Sequence, residues 1–548
     1  MPNNEIIDCD SIVIGAGMGG MTVASLLARD GWNPVVLEAA HVPGGCSSSF
    51  TRKGYTFESG ATTLIGFDEN QPLARLEAMT GVKIPRVEID PGMSVHMNGE
   101  SIIRYKDREK WINEAIRVFG HAEGQRRFWS LALKLADFVW KASARNPSFP
   151  PQNISDVVQL GLRNNPLDVL KLRYAFVSVY DVMMKCGVAT PDFTVFIDEQ
   201  LMITAQSTSK EVPFLFGAAG ITYTNYSNYY VPGGLLEMVM KLGTKLGAGS
   251  GERGAGRGER GAGSGELGAE SGELGAESRK LGAESGELGA GRGEQRAVAG
   301  VRVRHKVMEI ARDGDYYLVR TERKGTFRSR LIYSNLPVWN MVELTSGSMK
   351  EWFLAQSRKY EHAWGAFTMG IVTSDHYPES MTLHHQIHLD SPMTMTGAES
   401  LFVSMSKPGD LGRAPHGFRT LNISCHTPTD IWFNLDNRYD AIKLEVEAEI
   451  LQILREKLPG FANCELVEAF GSTPVTWQNW VYRKKGRVGG IPQSMSRALW
   501  DWTPAATPFQ GLYLCGDTVY PGQGIPGVTL SGINVYYRSE KFRKTIRK

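Results

Sequence analysis

Residues Ser11 to Gly31 read SIVIGAGMGGMTVASLLARDG, and this stretch decides the fold. SIVI is a short β-branched strand, Gly15-Ala16-Gly17-Met18-Gly19-Gly20 is a glycine-rich turn, and the remainder has the apolar spacing of a helix closed by Gly31. PVVLE then reads as the next strand and ends in Glu38, eighteen residues after Gly20. A GxGxxG alone is a weak signal. Set between a strand and a helix, with an acid at the end of the following strand, it specifies a dinucleotide-binding βαβ unit. Gly15 permits the tight turn, Gly17 lets backbone approach a pyrophosphate, and Gly20 lets helix and strand pack closely. The helix N-terminus adds partial positive charge. Glu38 is placed to hold both hydroxyls of an adenosine ribose and would repel a 2′-phosphate, so the nucleotide is FAD or NAD rather than NADP.

The rest of the chain sets bounds on this unit. A length of 548 residues leaves room for a second domain, and 42% hydrophobic against 22% charged residues supplies a packed core rather than disorder. Sixty basic and fifty-eight acidic side chains leave a net charge of +2, too little excess to neutralise phosphates, which argues against nucleic acid as a partner. The six cysteines stand singly, with no CxxC pair, as in a reducing compartment such as the cytoplasm. MPNNEIID is acidic where a secretory signal is basic, and no apolar run approaches the length of a transmembrane helix.

Residues 247–295 form seven consecutive glycine-rich heptapeptides, GAGSGER to GAGRGEQ. With at most one sizeable apolar side chain per heptad, the seam is too narrow for a coiled coil, and the glycines predict a flexible insert. The block interrupts an otherwise coherent pattern. VPGGLLEMVMKLG before it reads as a short helix, and VRVRHKVMEIARDG with DYYLVRTERKGTFRSRLIYSN after it reads as strands around an Asp-Gly turn. Between Trp111 and Leu201, FWSLALKLADFVW and VVQLGLRNN have helical spacing. From Trp364 to Asn434 the pattern alternates as strands, and AIKLEVEAEILQILREKLPG follows as an amphipathic helix.

After Glu38 comes Pro43-Gly44-Gly45, and late in the chain comes GLYLCGDTVYPGQGIPGVTLSGINVYYR, a strand, a Gly-Asp turn and a glycine-rich segment opening a helix. With GYTFESGATTLIGF, FIDEQLMITAQSTSKEVPFLFGA, YYVPGGLLEMV and TPVTWQNWVYRKKGRVGGIPQ, these segments resemble a large flavoprotein family. It includes bacterial phytoene desaturases, carotenoid isomerases, related desaturases and ketolases, and retinol saturases. The likeness covers nearly everything except the repeats. It implies an α/β fold in which a Rossmann-like FAD-binding domain of the glutathione-reductase type is assembled from residues 1–110, 221–345 and 466–548. A mixed-sheet and helical substrate domain would take 111–220 and 346–465.

The resemblance implies FAD contacts at Gly15, Ala16, Gly17, Met18, Gly19, Gly20, Glu38, Ala39, Gly44, Gly45 and Cys46. Val307 is implied on a strand beside the adenine, Asn335 in the turn after the next strand, and Gly516, Asp517, Gly527 and Val528 in the C-terminal flavin motif. Asp517 is expected at the ribityl or phosphate region. Glu58 stands where the family commonly has Asp, and Cys46 where some relatives have Arg. The implied activity is FAD-dependent chemistry on a carotenoid or similar isoprenoid polyene, with desaturation by hydride transfer to flavin N5 placed slightly ahead of redox-neutral cis–trans isomerisation on reduced flavin. An amine oxidase of the same fold is an alternative, and a non-catalytic prenyl-binding escort is disfavoured because both flavin motifs are kept. No second nucleotide motif appears, so electrons from a net oxidation go to a diffusible acceptor such as oxygen or a quinone.

No acid–base pair or nucleophile is identified, as expected where a C–H bond need only be held against a flavin with water excluded. His384, His385 and His388 imitate metal-ligand spacing, but on an alternating strand His385 faces away from the other two, and no metal is expected. Tyr223, Tyr226, Tyr229 and Tyr230 are expected either to line a polyene tunnel or to pack at a domain boundary. Arg483, Lys484, Lys485 and Arg487 read as a solvated turn, with contact to flavin phosphate or lipid as the competing reading. The basic tail RSEKFRKTIRK, together with aromatic helices near Trp129, Phe138 and Trp140, is expected to make a peripheral membrane contact.

Overall fold

The computed structural model describes residues 6–60, 62–246, 300–323, 325–360, 363–497 and 501–547; the heptapeptide block, expected as a flexible insert, lies outside the described residues. Ser11–Ile14 is the centre of a five-stranded parallel sheet in the order Val301–Arg302, Pro34–Leu37, Ser11–Ile14, Ile332–Ser334, Leu512–Leu514. The three central strands are buried almost throughout, as their unbroken apolar runs require when both faces of a parallel sheet are covered. Helices Met18–Arg29 and Ile525–Arg538 pack against one another beside it, and their separation is set by glycine. A Cβ on Gly532 would lie 2.7 Å from the carbonyl oxygen of Gly19.

Beside this sheet lies a four-stranded one, Ile6–Asp8, Thr326–Ser329, Tyr316–Thr321 and Val307–Asp313. The Asp-Gly turn closes its hairpin with Gly314 at φ +57°. The third sheet has seven strands, in the order Leu466–Ser472, Gly365–Ser374, Phe418–Thr427, Ser400–Met405, His384–His388, Met93–Met97, Glu100–Arg104. Only the pairing of His384–His388 with Met93–Met97 is parallel. Helix Tyr439–Lys457 covers one face through Val446, Ile450 and Leu454. Next to the sheet edge, helices Ala122–Arg145, Pro191–Ala205 and Phe214–Ile221 enclose an aromatic core containing Trp111, Phe128, Trp129, Phe193 and Phe196.

Two features differ from the sequence expectation. Residues 93–104 and 466–472, assigned to the nucleotide side, are hydrogen-bonded into the seven-stranded sheet, because their partners lie far along the chain where alternation gives no warning. Trp129 is fully buried in the helical core rather than presented at the surface, and in the basic tail Arg543 and Arg547 bind Asp30 and Gly31 just after the first helix while Lys541 and Lys544 stay exposed.

Candidate functional site

The glycine-rich turn is built as its spacing demands. Gly15 has φ +92°, and a Cβ on Gly20 would meet the Gly15 carbonyl oxygen at 2.2 Å. Gly17 begins the helix with no side chain capping it, which leaves the positive end of the helix to a ligand. Glu38 is buried at the end of its strand; its Oε2 accepts from Ala16 N–H at 2.7 Å and its Oε1 from Ala40 N–H at 2.8 Å. Burial pushes its carboxyl above the usual range, partly offset by the Ala40 and Ala16 N–H groups. Each oxygen keeps acceptor capacity for a hydroxyl. The His305 N–H donates to the Glu38 carbonyl at 2.7 Å, which brings the strand beginning at Val307 alongside.

Three more segments meet this turn. Gly44 N–H donates to Ala16 O at 2.9 Å, so the double glycine lies against Gly17, and Gly44 has φ +112°. Asn335 follows the fourth strand of the sheet, and its amide is wedged under the turn. A Cβ on Gly17 would lie 2.6 Å from Asn335 Nδ2, and one on Gly19 would lie 2.5 Å from Asn335 Oδ1. Gly516 adjoins the same amide, and its neighbour Asp517 pairs with Arg483 at 2.8 Å. Burial opposes the charge of Arg483, yet Asp517 holds the guanidinium above its ordinary value. Cys46 is within electrostatic reach of both, its thiol pushed up by burial against the pull of Arg483. Gly527 and Val528 open helix Ile525–Arg538, whose Gly524 N-cap likewise has no side-chain bond.

A second wall comes from the substrate side. The loop around Gly489-Gly490 runs between Gln206, at the end of helix Pro191–Ala205, and Asp517. A Cβ on Gly489 would lie 1.8 Å from Gln206 Nε2, and one on Gly490 would lie 2.2 Å from the Asp517 carbonyl oxygen. Gln206 donates to Val488 O at 3.0 Å, and Gln493 N–H donates to Ala205 O at 2.9 Å. Trp477 closes over Gly60 beside the Cys46 carbonyl. Gln206 and Gln493 lie in two of the segments that carry the family resemblance, but neither was singled out, because only the fold brings the Gly489-Gly490 loop against Gln206.

Other expected residues lie elsewhere. Glu58 forms a buried ion pair with Arg413 at 2.6 Å and accepts from Ser49 Oγ and Leu235 N–H, which makes it a structural tie. Among the tyrosines, Tyr226 binds Asp137, Tyr230 binds Asp410, Tyr223 is buried against Met93 sulfur and Tyr229 packs on Phe67. All four are held by packing or polar contacts of their own, Tyr223 inside the helical core. His384 and His388 share one face and His385 the other. His388 bonds Glu199, and His385 bonds His96 at 3.0 Å. Among the described residues no group of three His, Cys, Asp or Glu is arranged to hold a metal.

The turn at Gly15–Gly20, the double glycine, Glu38, Asn335 and the Gly516-Asp517 segment thus come together, packed closely because their glycines leave no room for a Cβ against Asn335 or backbone, and two helix starts there are uncapped. This suits the pyrophosphate and ribose of an FAD. Residues 13–77 match the NAD(P)-binding Rossmann-like domain family, and residues 290–535 match the flavin-containing amine oxidoreductase family. Prolycopene isomerase of Arabidopsis thaliana is 25% identical over 96% of this chain and 82% of its own length. The neurosporene-forming phytoene desaturase of Rhodobacter capsulatus is 31% identical over 25% of this chain and 27% of its own. An oxidoreductase from Methanosarcina mazei shares the fold, with a TM-score of 0.56 at 17% identity over 96% of this chain and all of that one. The chain is an FAD-dependent oxidoreductase whose residues 290–535 match the flavin-containing amine oxidoreductases and whose curated relatives include carotenoid isomerases and desaturases.

Proposed function

We propose that the enzyme isomerises double bonds of a carotenoid or similar long polyene, with desaturation of such a chain as the second reading. The observation that carries it is the extent of the likeness. Similarity to a prolycopene isomerase runs over nearly the whole chain, whereas similarity to a phytoene desaturase takes in about a quarter of it. This reverses the order of preference drawn from the motifs alone, which are common to both reactions.

In this reading Glu38 and Ala39 receive the adenosine ribose. The turn Gly15, Ala16, Gly17, Met18, Gly19 and Gly20, with Gly44, Gly45 and Cys46, faces the pyrophosphate, and Val307 lies beside the adenine. Asn335, Gly516, Asp517, Gly527 and Val528 complete the flavin side. When bound, FAD exchanges electron density with a conjugated chain, easing rotation about a double bond or accepting a hydride. The protein's share is positional. Arg483 neutralises Asp517, Gly489 and Gly490 let their loop pack directly against Gln206 and Asp517, and Trp477 packs on Gly60 beside Cys46. A polyene held there needs alignment and exclusion of water more than a proton donor.

Expression in cells that accumulate cis-lycopene or phytoene tests this. Unchanged mass with altered retention and absorbance is the expected result, and loss of two hydrogens establishes the desaturase reading instead. If pigments are untouched while the yellow protein releases peroxide from amines, both are wrong.

A further inference from the structure

One face of the seven-stranded sheet is apolar and packs under helix Tyr439–Lys457 through Phe367, Met369, Leu421, Ile423 and Cys425. The opposite face carries a polar row. Strand register sets Ser472, Thr368 and Ser424 side by side on three adjacent strands, with Phe402 next in line and His426 further along the strand of Ser424. Alternation turns all of them away from the apolar core, and the three hydroxyls span about 10 Å. Ser472, Thr368, Ser424 and His426 have no hydrogen-bond partner among the described residues, although each keeps accessible surface. Only the edge of Trp364 meets the His426 ring, at 6.1 Å between centroids. Burial holds His426 down at about 4, so the surface it keeps faces the interior of the molecule rather than bulk water.

Both ends of this row are tied to the flavin side. At one end Asn422, on the same face, exchanges hydrogen bonds with the Glu58 carbonyl and N–H at 2.8 and 3.3 Å, and Gly60 just beyond packs on Trp477 beside the Cys46 carbonyl. At the other end Trp364 O accepts from the Val488 N–H at 2.9 Å, and Gly365 bridges to Arg487. His426, opposite Ala366, therefore stands where the sheet meets the loop that packs on Asp517. We propose that Ser472, Thr368, Ser424 and His426 form a hydrogen-bonding subsite for a neutral oxygen function, a hydroxyl or a carbonyl, carried by the polyene. This rests on the proposed substrate class and narrows it: the preferred substrate is an oxygenated polyene rather than a bare hydrocarbon.

The chemistry of the row selects this class. A neutral imidazole has one donor and one acceptor and each hydroxyl has both, so the row can answer a hydroxyl or a carbonyl in either sense. Charge does not suit it. Burial alone displaces His426, with no ionic neighbour contributing, and Glu58 and Arg413, which meet Asn422 on the same face, are tied to each other at 2.6 Å. A carboxylate or an ammonium would be buried there without a counter-ion. A hydrocarbon laid along the row strips water from these polar groups and returns no hydrogen bond, whereas an oxygen function replaces what is lost. Phe402 and Trp364, both partly accessible, flank the row with aromatic surface for the conjugated chain.

The test is binding and turnover by the FAD-loaded full chain on a matched set of detergent-dispersed cis polyenes: β-carotene, its ring-hydroxylated form zeaxanthin and its ring-ketone form canthaxanthin. Quenching of flavin fluorescence gives affinity, and chromatography gives isomerisation. The oxygenated pair is expected to bind at least about tenfold more tightly than the hydrocarbon. His426→Phe, and separately Thr368→Val with Ser424→Ala, should weaken the oxygenated polyenes about tenfold and strengthen the hydrocarbon, which erases the preference. His426→Gln keeps a donor and should retain most of it. Flavin absorbance and melting temperature check that each variant is folded, and opposed shifts for the two kinds of polyene are not what a merely structural role produces. Equal affinity for all the polyenes, a parallel change for all of them in the variants, or tighter binding of a polyene carboxylic acid overturns the subsite and leaves the polyene reading standing. Failure of every polyene to bind the holoenzyme overturns both.

Discussion

Arg483 Nη2 stands 2.8 Å from Asp517 Oδ2, joining the loop after helix Pro474–Val481 to the turn that follows the last strand of the parallel sheet. Both side chains are close to fully covered, so each needs the other. Arg483→Gln is expected to leave an uncompensated carboxylate beside the proposed flavin site and to cost about 3 kcal/mol of stability. FAD affinity, followed by flavin fluorescence on titration, should fall at least about tenfold, with Arg483→Lys intermediate. Unchanged flavin content and affinity in Arg483→Gln would remove this pair from the cofactor site.

The Glu58–Arg413 pair makes a separate claim. Glu58 also receives Ser49 Oγ and the Leu235 N–H, so it holds the Pro-Gly-Gly turn to the strand Tyr55–Glu58. Glu58→Gln should destabilise the protein by about 3–5 kcal/mol. Glu58→Asp is one methylene too short to keep every partner and should fall between. Urea midpoints of the three proteins give the order.

Acid should act through the buried histidines. Burial holds His384 down at about 4, below its ordinary 6.5. Between those values the unfolded chain binds a proton that the folded chain refuses, so stability falls as pH drops from about 6.5 to about 4 and this contribution is then exhausted. The loss is roughly 3 kcal/mol for this residue. His384→Phe, stacking on Phe402 as the imidazole does, should flatten that limb of a melting-temperature profile between pH 7 and 4. An equally steep profile in the variant would refute it.

Gly20 admits no substitution without movement of the turn. Gly20→Ala places a methyl 2.2 Å from the Gly15 carbonyl oxygen, and a loss of about 1–3 kcal/mol with near-complete loss of bound flavin is expected. Gly81→Ala, where a Cβ meets nothing within 4 Å, serves as the control. Its φ of +71° still carries a small backbone penalty, and its flavin content should be unchanged.

How far the sequence could be read depended on distance along the chain. The strand, turn, helix and acid around Gly15 to Glu38 lie within one short span, and local spacing specifies them fully. Met93–Met97 pairs with His384–His388, and no local pattern names such a partner. Arg483 was visible as a basic run, but its role follows only from the fold that sets Asp517 against it. The stripe at Ile154, Val157, Val158 and Leu162 has the spacing of a core-facing helix. It faces outward because of Arg538, some 380 residues later, a contact that amphipathicity cannot report.

The strand order of the parallel sheet has a consequence for synthesis. Ser11–Ile14 pairs on one side with Pro34–Leu37 at once, but its other neighbour, Ile332–Ser334, leaves the ribosome about 320 residues later, and Leu512–Leu514 later still. At roughly 5–20 residues per second, the nascent βαβ unit waits about 15–60 s with a bare hydrophobic strand edge. Translation speed and chaperone supply should therefore govern yield more strongly than the stability of the finished enzyme does.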